Sequence, residues 1–169
     1  ANTLFVFTSD NGGVVADHGS NVPLRGGKFS DWEGGVRSPT FVSGPLVPSQ
    51  ARGKWYNGII SATDWSVTFL ILAGVKDVNA SMGAKVGTVP PLDGVDMWSA
   101  ICAVGGSTQQ QAAATVRSET WIETGKLRVG EYKLINSNCG GRGLTGTGGG
   151  WITPATNATK AYPNQGVHN

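Results

Sequence analysis

Charged residues are scarce in this sequence. Asp, Glu, Lys and Arg make up only 14% of the 169 residues, and 13 cationic against 11 acidic side chains leave a net charge of +2. A dedicated nucleic-acid-binding domain normally carries a basic face or stripe. The near balance of charge therefore argues against that class of function, and no nucleic-acid partner is expected.

Long apolar runs and cysteines are few as well. No stretch reaches the ~18 consecutive apolar residues that a membrane-spanning helix requires, so no membrane span is expected. The two cysteines, Cys102 and Cys139, are compatible with one disulfide, with pairing outside the chain, or with the reduced state. The sequence also begins directly at a strand, without an initiator Met or a signal peptide, which indicates a processed chain or a piece of a larger one.

Glycine, in contrast, is abundant. With 26 residues, its share is roughly double that of an average protein, which favours loops and turns. Residues 3–9 form a continuous β-branched and aromatic run, which predicts a strand covered on both faces, as in a parallel sheet. A long loop follows over residues 10–30, and loops of this length are usually functional. After it, Asp31-Trp32-Glu33 is predicted to form one helical turn that ends at Gly34-Gly35.

The rest of the chain predicts short elements. We expect a strand over residues 39–43 and a largely buried helix that is capped by Thr63 or Asp64 and runs to Ala73. A short helix is expected over residues 95–104, and residues 109–114 suit either a helix or a surface linker. Alternating patterns predict two or three antiparallel strands with tight turns over residues 118–123, 126–129 and 131–136.

The first loop carries the chemistry. Asp10 and Asn11 place a carboxylate and an amide carbonyl directly after the first strand, and both are hard oxygen ligands suited to Ca²⁺ or Mg²⁺. Lys28, with Arg25 nearby, adds positive charge that could hold an anionic ester. A divalent cation together with such a side chain stabilises charge on phosphoryl or sulfuryl oxygens. From spacing alone, a simple tight turn at Asp10–Gly13 is an equally good explanation.

The amino-acid sequence of this region resembles that of a known family. FTSDNGG and PLRGGKFSDWEGGVRSP resemble the second signature region of type I sulfatases, especially arylsulfatases of the B-like branch. Similar segments follow in the family's order at residues 61–74, 91–96 and 127–135, with a weaker one at 151–154. The resemblance implies an α/β, alkaline phosphatase-like (sulfatase) fold. Residues 1–105 would hold the last part of the main sheet domain, and residues 106–169 a small C-terminal antiparallel sheet domain with a helix.

The resemblance also implies roles for individual residues. Asp10 and Asn11 would bind Ca²⁺, with Mg²⁺ as the alternative, and Lys28 would be the catalytic residue that contacts the sulfate of a sulfate ester. Arg25 would support substrate binding. Family catalysis depends on a formylglycine made within a C/S-x-P-x-R motif, which these 169 residues lack. The nucleophile and the other metal ligands are therefore expected in a missing N-terminal portion, in the same protein or in a second chain, and this chain alone is expected to be inactive.

Other functions and sites stay open beside this interpretation. One alternative is a non-catalytic, sulfatase-like structural or extracellular matrix protein, and another is a related phosphohydrolase of the alkaline phosphatase superfamily. The sequons at Asn79 and Asn157 allow glycosylation and favour an extracytoplasmic location, whether secreted, extracellular or lysosomal. A homo-oligomer is not excluded. An isolated chain whose first strand lacks neighbours is expected to be sticky.

Several residues that look functional have simpler explanations. The glycine pattern over residues 141–146 predicts a surface loop, and His18 is expected to be solvated. Glu33 and Arg37 are expected to brace the loop through an ion pair. The remaining carboxylates are expected to cap turns and helices, namely Asp64, Asp93 and Asp96.

Overall fold

The computed structural model describes residues 2–14, 19–81, 90–113, 116–123 and 126–135. Two compact units form within these ranges. One contains residues 2–4 and Ser43–Thr120, and the other contains Phe5–Val42 and the described residues from Trp121 onward. The boundary expected between residues 105 and 106 stays a prediction. Predictions for His18, Cys139, Asn157 and residues 141–146 and 151–154 lie outside the described residues.

A two-stranded sheet pairs β1 (Phe5–Thr8) with β2 (Thr40–Ser43), close to the predicted spans. The rings of Phe5 and Phe7 lie beside Phe41, with centroid distances of 5.8 and 5.2 Å. All three rings remain about half exposed. The expectation that both faces of the first strand are covered is therefore wrong for the described residues, which leave these rings about half exposed.

The short helix α1 (Glu33–Val36) continues through the glycine pair that was expected to end it. Both Gly34 and Gly35 are buried within this helix. A Cβ atom on Gly34 would collide with the backbone carbonyl of Gly26, and one on Gly35 with those of Gly27 and Ser30. These glycines are therefore required for close backbone contact and do not terminate the helix.

A three-stranded sheet in the order β3 (Glu119–Glu123), β4 (Lys126–Val129) and β5 (Tyr132–Ile135) confirms the predicted late strands. Strands β4 and β5 are antiparallel, and Val129 faces Tyr132 across a two-residue turn. Gly130 opens this turn with a φ of 54°, which glycine adopts without a steric penalty.

The other unit is built from short helices. Its helical elements are a 3₁₀ turn (Ser49–Ala51), α2 (Ala62–Leu72), α3 (Trp98–Ala103) and α4 (Thr108–Ala113). Met97, Ala100 and Ile101 form its core, with partly buried side chains packed around them: Tyr56, Ile60, Trp65, Val95 and Trp98. No helix in the part of the chain that the structure describes is long and apolar enough to cross a membrane.

Helix α2 begins and packs differently from the prediction. Its N-cap is Ser61, and the Ser61 backbone N–H donates to Asp64 Oδ2 at 2.7 Å, so Asp64 lies one turn inside the helix. Asp64 and Thr68 are completely buried, whereas Phe69 and Leu72 are exposed. The expectation of a mostly buried apolar helix is therefore wrong, because this helix buries a polar face.

The buried polar face exists because Arg117 neutralises Asp64. The Arg117 guanidinium donates to both carboxylate oxygens, from Nε at 2.8 Å and from Nη2 at 2.5 Å. This hydrogen bonding, opposed by burial, raises the pKa of Arg117. Val95 N–H also donates to Asp64 Oδ1 at 2.9 Å, and Arg117 Nη2 donates to the Asp93 carbonyl at 2.8 Å. One carboxylate therefore fastens the turn over residues 93–95 to α2.

The structure confirms the capping role expected for Asp96. Its Oδ1 accepts a hydrogen bond of 2.9 Å from the Trp98 backbone N–H at the start of α3. Asp93 takes part in the neighbouring turn through its backbone carbonyl.

Candidate functional site

Three glycine pairs stack backbone against backbone around the polar loop. Gly12 N–H donates to the Gly35 carbonyl at 2.9 Å, and Gly34 N–H donates to the Arg25 carbonyl at 2.6 Å. A Cβ atom on Gly12 would overlap the carbonyl oxygen of Gly34, and one on Gly34 would overlap that of Gly26. Side chains would push these segments apart, so the glycines bring DNGG, RGGK and EGG into direct contact.

Asn21 joins two of these segments. Its Oδ1 accepts from Gly13 N–H at 2.7 Å, and its Nδ2 donates to the carbonyls of Gly13 at 3.0 Å and Gly26 at 3.2 Å. A side-chain amide can replace a missing strand partner in this way because it offers a donor and an acceptor together. No local pattern in the sequence distinguishes Asn21, and its position in a glycine-rich loop is the one signal that could have suggested this role.

Lys28 lies at the tip of a tight turn over residues 27–30. Ser30 closes the turn: its N–H donates to the Gly27 carbonyl at 3.0 Å, and its Oγ donates to the same oxygen at 2.7 Å. Phe29 has a φ of 75°, which is uncommon for a residue with a side chain. Lys28 N–H donates to the Gly13 carbonyl at 3.0 Å, and its ammonium lies 5.5 Å from the centre of the Phe29 ring.

Asp10 and Asn11 follow β1 after one intervening residue, Ser9, and precede the glycine pair Gly12-Gly13. Ser9 Oγ donates to the Asn11 backbone carbonyl at 2.8 Å, which fixes the turn. Asp10 is exposed and Asn11 half-buried, and neither side chain forms a hydrogen bond or ion pair with another described residue. The carboxylate and the amide are thus available to a ligand.

These two oxygen donors fit part of a calcium shell. Ca²⁺ takes about six to eight oxygen ligands, and no group of three or more His, Cys, Asp or Glu residues suited to a metal occurs in the described ranges. Asp10 and Asn11 would therefore supply two ligands, with the others from elsewhere or from water.

Arg25 lies against an aromatic ring. Its guanidinium carbon is 3.7 Å from the centre of the Trp32 ring, a distance typical of a cation–π contact. The contact orients the guanidinium plane and holds α1 close to the loop. The expected contribution of Arg25 to substrate binding stays a prediction.

The turn over residues 31–33 is held by three cations of the β4–β5 hairpin. Lys126 Nζ forms an ion pair of 2.7 Å with Asp31 Oδ2. Arg128 Nη1 donates to Glu33 Oε2 at 3.0 Å, and Lys133 pairs with Glu33 Oε1. Lys133 Nζ also donates to the Asp31 carbonyl at 2.9 Å. These five residues are called the acidic-turn clamp below.

The acidic-turn clamp corrects the expected pairing of Glu33 with Arg37. Glu33 does form ion pairs, but its partners are Arg128 and Lys133, and Arg37 is exposed. Arg37 is close to Glu33 in the sequence, whereas Arg128 and Lys133 reach Glu33 only through the folding of the β4–β5 hairpin. A local sequence pattern cannot report partners that are 95 and 100 residues distant.

Comparisons with known proteins point to one family. Residues 1–75 match the family model described as Sulfatase. Over these residues the chain is similar to type I sulfatases, which supports the resemblance seen in the sequence and suggests an alkaline phosphatase-like α/β fold.

Of three individual relatives, two match a longer part of the chain than the family model and one matches a shorter part. It is 38% identical to arylsulfatase J of Mus musculus over 101 residues, which are 59% of this chain and 15% of that protein. It is 29% identical to N-acetylgalactosamine-6-sulfatase of Canis lupus familiaris over 137 residues, 78% of this chain and 23% of that protein. It is 45% identical to steryl-sulfatase of Mus musculus over 58 residues, 30% of this chain and 9% of that protein. The chain thus spans less than a quarter of each of these relatives.

Proposed function

We propose that this chain supplies the calcium-binding and sulfate-binding side of the active site of an arylsulfatase-like sulfuric ester hydrolase. The observation that carries the proposal is the double use of the Gly13 carbonyl, which accepts from Lys28 N–H at 3.0 Å and from Asn21 Nδ2 at 3.0 Å. These bonds fasten the Lys28 turn beside the segment that carries Asp10 and Asn11. An oxyanion would then meet a cation-binding pair and an ammonium group together.

Each of these residues has a distinct role in the proposal. Asp10 and Asn11 hold Ca²⁺, with Mg²⁺ as the alternative, and the bound ion supplies positive charge to the sulfate oxygens. Lys28 donates an N–H to a sulfate oxygen and opposes the negative charge that develops as the ester bond breaks. Arg25 stays stacked on Trp32 and adds positive potential at the rim of the site.

The attacking group lies outside these 169 residues in this proposal. The C/S-x-P-x-R motif in which a formylglycine is made is absent from the sequence. A formylglycine supplied by an N-terminal portion, in the same protein or in a second chain, would complete the site and act on the sulfate ester. The chain by itself is then expected to bind a sulfate ester but not to hydrolyse it.

The proposal is tested with the protein purified from its natural source and with variants expressed in the same form. Hydrolysis of an aryl sulfate and of an aryl phosphate is measured with Lys28→Ala and with the control Lys54→Ala, an exposed lysine of the other unit. We expect Lys28→Ala to lower kcat/KM for the sulfate by about 10²–10³-fold, the size of a lost oxyanion contact. Equal activity of Lys28→Ala and its parent would remove Lys28 from the site.

The same measurement separates the alternative functions. Preference for the phosphate ester would indicate a related phosphohydrolase. A preparation that binds calcium through Asp10 and Asn11 but hydrolyses neither ester, and in which peptide mapping finds no formylglycine, would favour a non-catalytic, sulfatase-like structural or matrix protein. The absence of the nucleophile motif from this chain is the observation that keeps this second function in view.

An extracytoplasmic location completes the proposal. Asn79 is exposed, and its Oδ1 accepts from Leu92 N–H at 2.9 Å, which leaves its amide nitrogen at the surface. Glycosylation at Asn79 and Asn157 would show as a mass decrease on enzymatic removal of N-linked glycans. An unchanged mass would argue against the secretory route.

A further inference from the structure

The β4–β5 hairpin turns its charged face inward. Lys126 and Lys133 have side chains that are only 7% and 13% exposed, whereas Tyr132 and Leu134 on the opposite face are 85% and 62% exposed. A sheet with one solvated face normally buries its apolar side. The reversal indicates that the position of these cations, and not apolar burial, decides how the hairpin packs.

The cations meet the acidic turn, where the charges are nearly dry. The Asp31 side chain is 11% exposed, and its ion pair with Lys126 is correspondingly shielded from water. Removing one member of such a buried pair leaves an uncompensated charge, which is strongly destabilising. Asp31 is therefore held firmly in place as long as Lys126 is present.

Asp31 is connected to Lys28 by a short, constrained path. Ser30 is buried, and its Oγ and N–H are both bonded to Gly27, so only Lys28 and Phe29 project from the closed turn. Phe29 occupies a strained conformation, which persists only where the surroundings hold it. A shift of Asp31 would be passed directly to the Lys28 backbone.

We propose that the acidic-turn clamp positions the Lys28 ammonium for sulfate, so that Asp31 and Lys126 are positioning residues of the sulfate site. This inference rests on the proposed function of Lys28. The specificity of the site for a tetrahedral anion thus depends on a hairpin whose residues follow Lys28 by about a hundred positions in the chain.

Trace acetylation measures the position of the Lys28 amine without any need for turnover. The whole chain is treated with limiting acetic anhydride at several concentrations of inorganic sulfate, with ionic strength held constant by chloride. Peptide mass spectrometry then gives the acetylation rate of Lys28 and the sulfate concentration that halves it. Exposed Lys54 in the other unit is the internal control and should show no protection.

Three variants separate positioning from general stability. Lys126→Met removes the charge but keeps the aliphatic stem, and Lys126→Arg restores the charge. Asp64→Asn breaks the buried ion pair of the other unit, and is the control for a stability loss without an effect on Lys28. Circular dichroism establishes that each variant is folded at the working temperature. If Lys126→Met does not fold, Arg128→Gln takes its place as the variant that weakens the acidic-turn clamp. It removes one of the two cations that pair with the partly exposed Glu33.

We expect Lys126→Met to raise by about tenfold the sulfate concentration that halves the acetylation rate of Lys28. A functional group displaced by about 1 Å can lose at least this much. Lys126→Arg should restore most of the loss, Asp64→Asn should change nothing, and Arg128→Gln should give a smaller shift in the same direction. The inference would be overturned if sulfate protected Lys28 equally in the parent, in Lys126→Met and in Arg128→Gln. It would also be overturned if Asp64→Asn raised the half-protecting sulfate concentration as much as Lys126→Met does. If sulfate fails to protect Lys28 in the parent chain, the proposed function of Lys28 is wrong and the inference fails with it.

Discussion

Asp64 satisfies its buried charge with neighbours from three separate parts of the chain. It accepts from the Ser61 and Val95 backbone N–H groups and from two nitrogens of Arg117. A buried carboxylate is tolerated only with such a set of donors. The residue therefore acts as a junction between α2, the turn over residues 93–95 and the chain leading into β3.

Asp64→Asn should be strongly destabilising. Removing the charge leaves Arg117 uncompensated, and we expect the free energy of unfolding to fall by about 3 kcal/mol or more, as for other broken buried pairs. Urea denaturation followed by circular dichroism measures the change. The control is Asp96→Asn, which removes a charge but keeps an oxygen that accepts from the Trp98 N–H, and should cost less than about 0.5 kcal/mol. Similar losses in the two variants would contradict the junction role.

Tyr56 gives a prediction about pH. Burial, and then the charge of Asp64, raises the pKa of Tyr56 above its ordinary value of 10.0. The folded chain therefore retains this proton at a pH where the unfolded chain loses it, so the contribution of Tyr56 to stability is complete below pH 10 and declines above it. Tyr56→Phe should flatten the fall in melting temperature between neutral pH and pH 11. Parallel curves for the two proteins would show that Tyr56 does not titrate in this way.

Among the elements, the stacked glycine pairs form a scaffold made of backbone alone. A side chain on Gly12 or on Gly34 would overlap a neighbouring backbone carbonyl. The described parts of the loop, residues 10–14 and 19–30, therefore depend on tight packing although they contain few regular elements. The order of this loop is what would allow dispersed polar residues to act on one ligand.

Gly12→Ala should disrupt this scaffold, because the new methyl group would overlap the Gly34 carbonyl. We expect a loss of about 1–3 kcal/mol, the usual effect of overpacking, together with faster amide exchange over residues 10–36. Gly130→Ala is the matched control, since it has open space and a positive φ, and should cost about 1 kcal/mol. Hydrogen exchange that is unchanged in the Gly12 variant would show that the stack is not needed.

Local patterns and long-range contacts differed in how well the sequence predicted them. The β4–β5 hairpin was predictable because alternation and Gly130 specify it within ten residues. The roles expected for Lys28 and Asp10 rest on the chemistry of their side chains and on the family resemblance, and they stay predictions. The contacts of Asn21 and Arg117 were missed, because their partners are fixed by tertiary packing and no local pattern reports them.

For the whole chain, the exposed aromatic residues are the clearest liability. Phe5, Phe7 and Phe41 form one apolar face on the β1–β2 sheet, and Tyr132 and Leu134 form another on the β4–β5 hairpin. Contiguous exposed apolar patches favour association.

The expected stickiness of the chain is therefore testable at a defined surface. Phe7→Thr with Phe41→Thr should delay the onset of light scattering on warming, because both strand-compatible replacements remove an apolar ring. Trp55→Ser is the control, since Trp55 is highly exposed but lies outside the strands. If the Trp55 variant delays scattering as much as the double variant, the β1–β2 face is not the source.

The hydrogen bond from the Gly12 N–H to the Gly35 carbonyl also affects the chemical stability of Asn11. Asn11-Gly12 is the dipeptide most prone to deamidation, in which the glycine nitrogen attacks the side-chain amide, closes a succinimide ring and expels ammonia. Here that nitrogen is engaged with the Gly35 carbonyl at 2.9 Å, so ring closure requires the glycine stack to open first. We expect Asn11 to deamidate far more slowly in the chain than in a peptide of sequence SDNGGV stored at the same pH, as peptide mapping would measure. Similar half-lives would mean that the stack opens freely, and the loop would then acquire an additional carboxylate with age.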